Sequence, residues 1–167
     1  MTIYNLISVL EELESAVQTM GIHTEQGRKW KGTFHFAKAD SLTTKINEAE
    51  VAQGCGVYAF FGCHDEGAAE ELLYIGKSGT ILQDGRLRDQ GLNGRIGNKQ
   101  EKMSRQKFFN KILDGKDGRA LGFNSIRIDW VETYRDGKGI PPFLAEAQLL
   151  ASYLREFGAL PPLNKEA

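Results

Sequence analysis

Two apolar runs decide the fold: residues 55–61 read CGVYAFF, and residues 72–76 read LLYIG. Each run has the length and the apolar character of a buried β-strand. The linker between them, residues 62–71, is polar and contains glycine. We therefore expect the two strands to pair as an antiparallel hairpin.

A third core strand is predicted over residues 124–133, where apolar and polar residues alternate. On one face lie Ile126, Ile128 and Trp130. Helices are predicted at residues 3–20, near Gly91, at 104–113 with Ser104 as N-cap, and at 141–157, where Pro141 and Pro142 begin the helix. A short strand is predicted at 32–38, and a helix or loop at 43–54.

The last predicted helix has a clear apolar periodicity. Its apolar residues recur at spacings of three and four, which predicts a buried stripe of Leu144, Ala147, Ala151 and Leu154. Proline at the start and Gly158 after the end are typical helix boundaries.

Length and composition exclude several classes of protein. The chain has 167 residues, of which 41% are hydrophobic and 26% charged, which is typical of about one globular domain. No apolar run approaches the roughly 18 residues of a membrane span. Residues 1–20 contain no Lys or Arg, so we expect no secretory signal. Because Cys55 and Cys63 are too few for a disulfide scaffold, we expect a cytoplasmic protein.

The charge is unevenly distributed along the chain. The net charge is −1, but residues 77–111 hold nine basic and three acidic residues, so this window carries +6 and the remainder −7. A basic stretch of this kind indicates a phosphate-binding face, and the alternative is a solvated helix face.

Common catalytic and metal motifs are not found. Gly76-Lys77-Ser78 follows a strand, but a phosphate loop needs a glycine where the chain has Glu71. The histidines His23, His35 and His64 show no metal-ligand spacing, and the sequence has no G-x-S-x-G nucleophile motif.

A set of polar residues with hydrolytic potential remains. Tyr58 lies in the first apolar run, Tyr74 lies in the second, and Lys77 directly follows it. Arg95 is placed on the helix near Gly91, and Glu146 early in the last helix. If the two strands pair, both tyrosine hydroxyls reach one end of the same sheet face.

In their order along the chain, these elements resemble the GIY-YIG nuclease family. The resemblance rests on Gly56-Val57-Tyr58, Tyr74-Ile75-Gly76, Lys77, QGLNGRI at residues 90–96, Glu146 and PPLN at residues 161–164. It covers residues 54–165, about two thirds of the chain. Because the segment before the arginine is longer than in compact members, Arg86 and Arg88 are alternatives, and Leu92 and Ile96 at helical spacing favour Arg95.

The resemblance implies an α/β (α+β) fold, in which a small central antiparallel β-sheet is flanked by helices. It places a nuclease domain at residues 54–167. Residues 1–53 would then form an extension with a helix and a strand, packed on the core.

The resemblance also implies a metal-dependent DNA endonuclease. Glu146 would hold one Mg²⁺ or Mn²⁺ ion, Tyr58 would be the general base, and Tyr74 would orient water or contact phosphate. Arg95 would bind the scissile phosphate. An unperturbed tyrosine has a pKa of about 10, which is too high for a general base at neutral pH. A neighbouring cation would have to lower the pKa of Tyr58, and Lys77 is the candidate.

The remaining expectations concern binding and structure. DNA is the expected partner, with phosphate contacts from Lys99, Lys102, Arg105 and Lys107. Structural roles are expected for Gly56, Gly76 and Asn164. A homodimer would suit double-strand cutting, and no membrane contact is expected. The alternatives are a DNA-binding module of the same fold without activity, and an unrelated domain with a chance match.

Overall fold

The computed structural model describes residues 4–21, 27–65, 68–88, 91–116 and 122–167. Ile3, where the first helix is predicted to begin, lies outside these ranges, as do His23 and Gln90. The elements in chain order are α1 (Tyr4–Thr19), β1 (Lys31–Phe36), α2 (Leu42–Glu48), β2 (Cys55–Cys63), β3 (Glu71–Lys77), β4 (Thr80–Ile81), β5 (Leu87–Arg88), α3 (Leu92–Ile96), β6 (Lys99–Gln100), β7 (Met103–Ser104), α4 (Arg105–Leu113), β8 (Ser125–Arg135), β9 (Lys138–Gly139) and α5 (Pro142–Phe157).

The central sheet has the strand order β1-β8-β2-β3, and β9 pairs with β8 at its end. All of these pairs are antiparallel. The predicted hairpin is confirmed as β2–β3, with Tyr58 opposite Gly76 and Phe60 opposite Tyr74. The third predicted strand is β8, which lies between β1 and β2 and buries Ile128.

Helices cover both faces of the sheet. One face packs against α2, α3 and α4 in a buried cluster that includes Phe60, Leu92 and Phe109. The other face packs against α1 and α5 in a second cluster that includes Ala59 and Leu149. All nine residues of β2 are buried because this strand has neighbours on both edges and helices on both faces. A mixed α/β protein with a central antiparallel sheet flanked by helices is thus confirmed.

The N-terminal part contributes to the same sheet. β1 is an edge strand, with Phe34 opposite Ile128 of β8. Leu13 and Val17 of α1 belong to the same buried cluster as Leu149 of α5. The division into residues 1–53 and 54–167 stays a prediction.

Local signals place several boundaries correctly. The Ser104 hydroxyl accepts a hydrogen bond from the backbone N–H of Lys107 at 3.3 Å and caps α4. Ser41 caps α2, so part of the segment predicted as helix or loop is helical. Gly158 ends α5 with a φ of 67°. Within the described residues, no helix has both the length and the apolar character needed to cross a membrane.

The predicted apolar stripe of α5 is wrong. The helix buries a different set of residues, Pro142, Ala145, Leu149 and Leu150. Leu144 and Leu154 of the predicted stripe are 44% and 47% exposed, and Ala147 and Ala151 are exposed as well. Because α5 has apolar residues on more than one side, its periodicity does not reveal which side meets the sheet.

Candidate active site

The two motif tyrosines lie next to each other on one face of the sheet. Their ring centroids are 6.1 Å apart, with 36° between the ring planes. Tyr58 is 1% exposed, and its buried hydroxyl has no hydrogen-bond partner among the described residues. Tyr74 is partly exposed. The structure therefore brings the two phenol rings together, with one buried and the other accessible.

Both motif glycines are required by close contacts. A Cβ atom at Gly76 would lie 2.7 Å from Cζ and Oη of Tyr58 and from Cε1 of Tyr74. A Cβ atom at Gly56 would lie 1.9 Å from the carbonyl oxygen of Val131, where the register between β2 and β8 shifts. Gly76 thus makes room for the tyrosine rings, and Gly56 lets the two strands approach.

Ser78 joins the ends of β2 and β3. Its backbone N–H donates to the carbonyl oxygen of Gly56 at 2.9 Å, and its hydroxyl accepts from the Gly56 N–H at 3.1 Å. Ser78 is 2% exposed. The serine of the GKS tripeptide therefore has a structural role, which the sequence analysis missed because the tripeptide does not show which strand lies opposite.

Glu146 is a partly buried carboxylate in the second turn of α5. Burial raises its pKa above the usual value, and the positive charges of Lys77 and Arg95 act in the opposite direction. Lys77 is the last residue of β3, and Arg95 lies in α3. Three elements distant in sequence therefore bring one carboxylate and two cations together.

Lys77 projects from the face of the sheet opposite to the tyrosines. It is in register with Val57, whose side chain belongs to the buried cluster of α1 and α5, and neighbouring residues of a strand point to opposite faces. This differs from the expectation that Lys77 is the cation beside Tyr58. The cation at that ring is Arg105, whose guanidinium carbon lies 5.8 Å from the ring centroid.

Helix α3 is attached to the segment before β2. The backbone N–H groups of Leu92 and Asn93 donate to the carbonyl oxygens of Gly54 and Ala52, at 2.9 and 3.1 Å. Leu92 and Ile96 are fully buried, as their helical spacing around Arg95 predicts. These contacts fix the helix from which the charge of Arg95 acts on Glu146.

The alternative arginines lie elsewhere. Arg86 belongs to the turn between β4 and β5 and pairs with Asp84 at 2.6 Å. Arg88 is exposed at the end of β5. The arginine whose charge acts on both Tyr74 and Glu146 is Arg95.

Tyr74 lies within the electrostatic range of three charged side chains, those of Arg95, Arg105 and Glu146. Burial, together with the neighbouring Tyr58 and Glu146, raises the pKa of Tyr74 to about 12, while Arg105 and Arg95 act to lower it. Tyr74 borders a groove of about 360 Å³. The groove is lined by Tyr74, Gln100, Glu101, Glu146, Leu163, Asn164, Lys165 and Glu166.

Asn164 attaches the C-terminal segment to the edge of β3. Its side-chain oxygen accepts from the backbone N–H of Ile75 at 2.9 Å, and its side-chain nitrogen donates to the Ile75 carbonyl oxygen at 2.8 Å. The Leu163 N–H also donates to the carbonyl oxygen of Leu73, at 2.9 Å. Asn164 therefore forms one wall of the groove beside Tyr74 and holds the C-terminal segment against β3.

Three of the four expected DNA-contacting residues are exposed. Lys99, Lys102 and Lys107 lie at the surface, on β6, its turn and α4. Arg105 is instead 2% exposed and lies beneath the aromatic rings of the hairpin. Arg105 therefore does not belong to the exposed basic face.

The sequence contains a signal for the burial of Arg105 that the sequence analysis did not use. Arg105 precedes Phe108, Phe109 and Ile112 by three, four and seven residues. These spacings place it on the buried side of α4 with those residues.

The donor set of the groove fits a hard divalent cation. Glu146 offers a partly buried carboxylate, and the oxygen-bearing side chains of Gln100 and Glu101 border the same space. Mg²⁺ characteristically keeps several water ligands and uses one or two carboxylates together with substrate phosphates. Within the described residues, no three His, Cys, Asp or Glu side chains form a metal-binding group.

Comparisons of the chain with models of protein families, with curated proteins and with solved structures find no match.

Proposed function

We propose that this protein is a metal-dependent DNA endonuclease that hydrolyses phosphodiester bonds with a site of the GIY-YIG type. The observation that carries the proposal is the convergence on Tyr74, from four different elements, of Tyr58, Arg95, Arg105 and Glu146. Tyr74 and Glu146 also line one groove. Four of these five residues, all except Arg105, are the site residues that the sequence resemblance implies.

The roles follow from the chemistry of each side chain. Tyr58 accepts a proton from the attacking water, whose oxygen bonds to phosphorus as the bond from phosphorus to the 3′-oxygen breaks. Its buried hydroxyl, which has no partner, is a group that a substrate water would satisfy. Tyr74 borders the groove and contacts the water or a phosphate oxygen.

The cations and the carboxylate act on the phosphate. Arg95 binds it through a planar fork of N–H donors. Glu146 would hold one Mg²⁺ or Mn²⁺ ion, which when bound supplies charge neutralisation and support for the leaving oxygen. The charge of Lys77 favours the ionised form of the partly buried Glu146 and opposes the effect of burial, which raises its pKa.

Cleavage of supercoiled plasmid tests the proposal. We expect nicked or linear product with Mg²⁺ or Mn²⁺ and none with chelator. Tyr58→Phe and Glu146→Gln should each lower the rate by roughly 100-fold or more, the scale of general-base catalysis. Tyr134→Phe and Glu156→Gln, which change the same residue types outside the groove, are the matched controls.

Two results would contradict the endonuclease assignment. Binding of duplex DNA without cleavage in any divalent metal would favour the DNA-binding module. Wild-type rates in both Tyr58→Phe and Glu146→Gln would show that cleavage occurs at another site.

A further inference from the structure

Arg105 is one of the largest fully buried side chains of the protein and the first residue of α4. Its guanidinium carbon lies 4.9 Å from the ring centroid of Phe60, 5.8 Å from that of Tyr58 and 5.9 Å from that of Tyr74. A full positive charge is thus placed against the aromatic face of the β2–β3 hairpin.

The guanidinium of Arg105 is incompletely paired. Its Nε donates to the carbonyl oxygen of Asn98 at a long 3.5 Å, and its Nη1 is buried with no hydrogen-bond partner. Among the described residues, no carboxylate forms an ion pair with it. A buried charge without a counter-charge destabilises the folded state, and ring contacts compensate only in part. An apolar side chain would fill this position at lower cost, so packing alone does not explain the arginine.

Tyr58 is the complementary group. Its ring lies against Arg105, and its buried hydroxyl also has no partner within the described part of the chain. An ionised phenol would bear the negative charge that the guanidinium lacks. The charged and titratable groups around this pair are Arg105 on α4, Tyr74 on β3 and, through Tyr74, Arg95 on α3 and Glu146 on α5.

We propose that Arg105 is a positioning residue for the nuclease site, and this inference rests on the proposed function: its fixed positive charge, held against the Tyr58 ring, favours the phenolate that takes up the proton of the attacking water. Tyr58 releases its proton to solvent before the reaction. The phenolate then takes a proton from the attacking water, and the departing 3′-oxygen is protonated from solvent. Because Arg105 is buried, it acts through Tyr58 and not by touching DNA.

Three substitutions separate charge from packing. Arg105→Met removes the charge and keeps an extended apolar side chain, whereas Arg105→Lys keeps the charge. Lys111→Met makes the same kind of change on a residue of α4 outside the site. For each variant we would measure the thermal midpoint, and kcat and KM on a duplex oligonucleotide with Mg²⁺.

We expect Arg105→Met to unfold at the wild-type temperature or above, since the unpaired buried charge is gone. Its kcat should fall by about 10- to 100-fold, which stays at or below the lower end of the roughly 100- to 10,000-fold range of general-base catalysis because Tyr58 itself is kept, with KM for DNA unchanged. Arg105→Lys should recover much of kcat. Wild-type kcat in Arg105→Met, or equal losses in the Met and Lys variants, would overturn the inference. If Arg105→Met does not fold, Arg105→Gln against Arg105→Lys makes the same comparison.

A measurement independent of cleavage separates this inference from the proposed function. NMR of the ¹³Cζ atom of Tyr58 should show the phenol ionising at a lower pH in the wild type than in Arg105→Met. If that difference is found in a protein that cleaves no DNA, the nuclease assignment fails and the electrostatic role of Arg105 stands. If the wild type cleaves DNA and the difference is absent, the role of Arg105 fails alone.

Discussion

Gly56 and Gly76 are needed because neighbouring groups lie very close to them, and not because their backbone conformations require glycine. Neither is among the residues with positive φ, so their backbone conformations are open to other amino acids. Each lies where a Cβ atom would approach a neighbour within 3.0 Å. At the scale of single residues, the glycines of the motif are therefore explained by the groups that they allow to come close.

Gly76→Ala should destabilise the protein and impair cleavage. The added methyl group would meet both tyrosine rings at 2.7 Å, and overpacking of this kind costs about 1–3 kcal/mol. Gly97→Ala is the control, since its Cβ atom would lie 3.4 Å from the nearest side-chain atom and its φ is −81°. Urea denaturation and plasmid cleavage measure both effects, and equal stability of the two variants would contradict this explanation.

Glu146 provides a pH prediction at the same scale. Burial raises its pKa, while Lys77 lowers it, so Lys77→Met should raise the pKa of Glu146 further. As the pH falls, the carboxylate of Lys77→Met should therefore take up its proton at a higher pH than in the wild type. NMR titration of the Glu146 carboxyl carbon measures this, with the exposed Lys138→Met as control. An unchanged midpoint in Lys77→Met would show that the two charges do not interact.

At the scale of the secondary-structure element, the packing of helix α5 sets the direction of the Glu146 side chain. The helix carries the Glu146 carboxylate, a buried apolar side and an exposed apolar side along the same 16 residues. The buried side, with Ala145 and Leu149, belongs to the cluster beneath the sheet. This packing fixes the rotation of the helix about its axis, and thereby directs Glu146 toward Lys77 and Arg95.

Two leucines of α5 test which side is packed. Leu149→Ala should cost about 2–5 kcal/mol of the free energy of unfolding, as for a buried leucine, because Leu149 is 1% exposed. Leu154→Ala should cost less than about 1 kcal/mol, close to the range of surface substitutions, because Leu154 is 47% exposed. Urea denaturation measures both values, and the reverse order would mean that the sequence-predicted stripe is the packed side after all.

At the scale of the whole molecule, folding separates the cations of the basic window, residues 77–111, into buried and exposed ones. Arg105 is buried against the aromatic rings of the β2–β3 hairpin. Lys99, Lys102 and Lys107, which are close to it in the sequence, lie at the surface. Only exposed cations can replace counterions on a phosphate backbone. Folding therefore divides the basic window of the sequence into an exposed part and a buried part.

The salt dependence of DNA binding tests this division. Each phosphate contact contributes about 0.9 to the slope of log affinity against log salt, so replacing the three lysines by alanine should reduce the slope by about 2 to 3. Arg105→Met should leave it unchanged. Fluorescence anisotropy at several salt concentrations measures the slope, with the exposed Lys31, Lys38 and Lys138 replaced together as control. A fall in slope with Arg105→Met would contradict its burial in solution.

Local patterns were sufficient for much of the protein. The β2–β3 hairpin, the strand β8, the cap at Ser104 and the end of α5 at Gly158 all follow from the sequence alone. The adjacency of Tyr58 and Tyr74 follows as well. The physical reason is that strand alternation, helix periodicity, capping and turn chemistry act between residues close in sequence.

Only the tertiary structure decided which surfaces meet. It selected the packed side of α5, buried Arg105, turned Lys77 toward Glu146 and paired Ser78 with Gly56. These outcomes depend on groups distant in the chain, and burial and charge interactions are set by whatever neighbour the fold supplies. A pattern of residues gives the period of an element, whereas the free energy of packing against other elements selects its orientation.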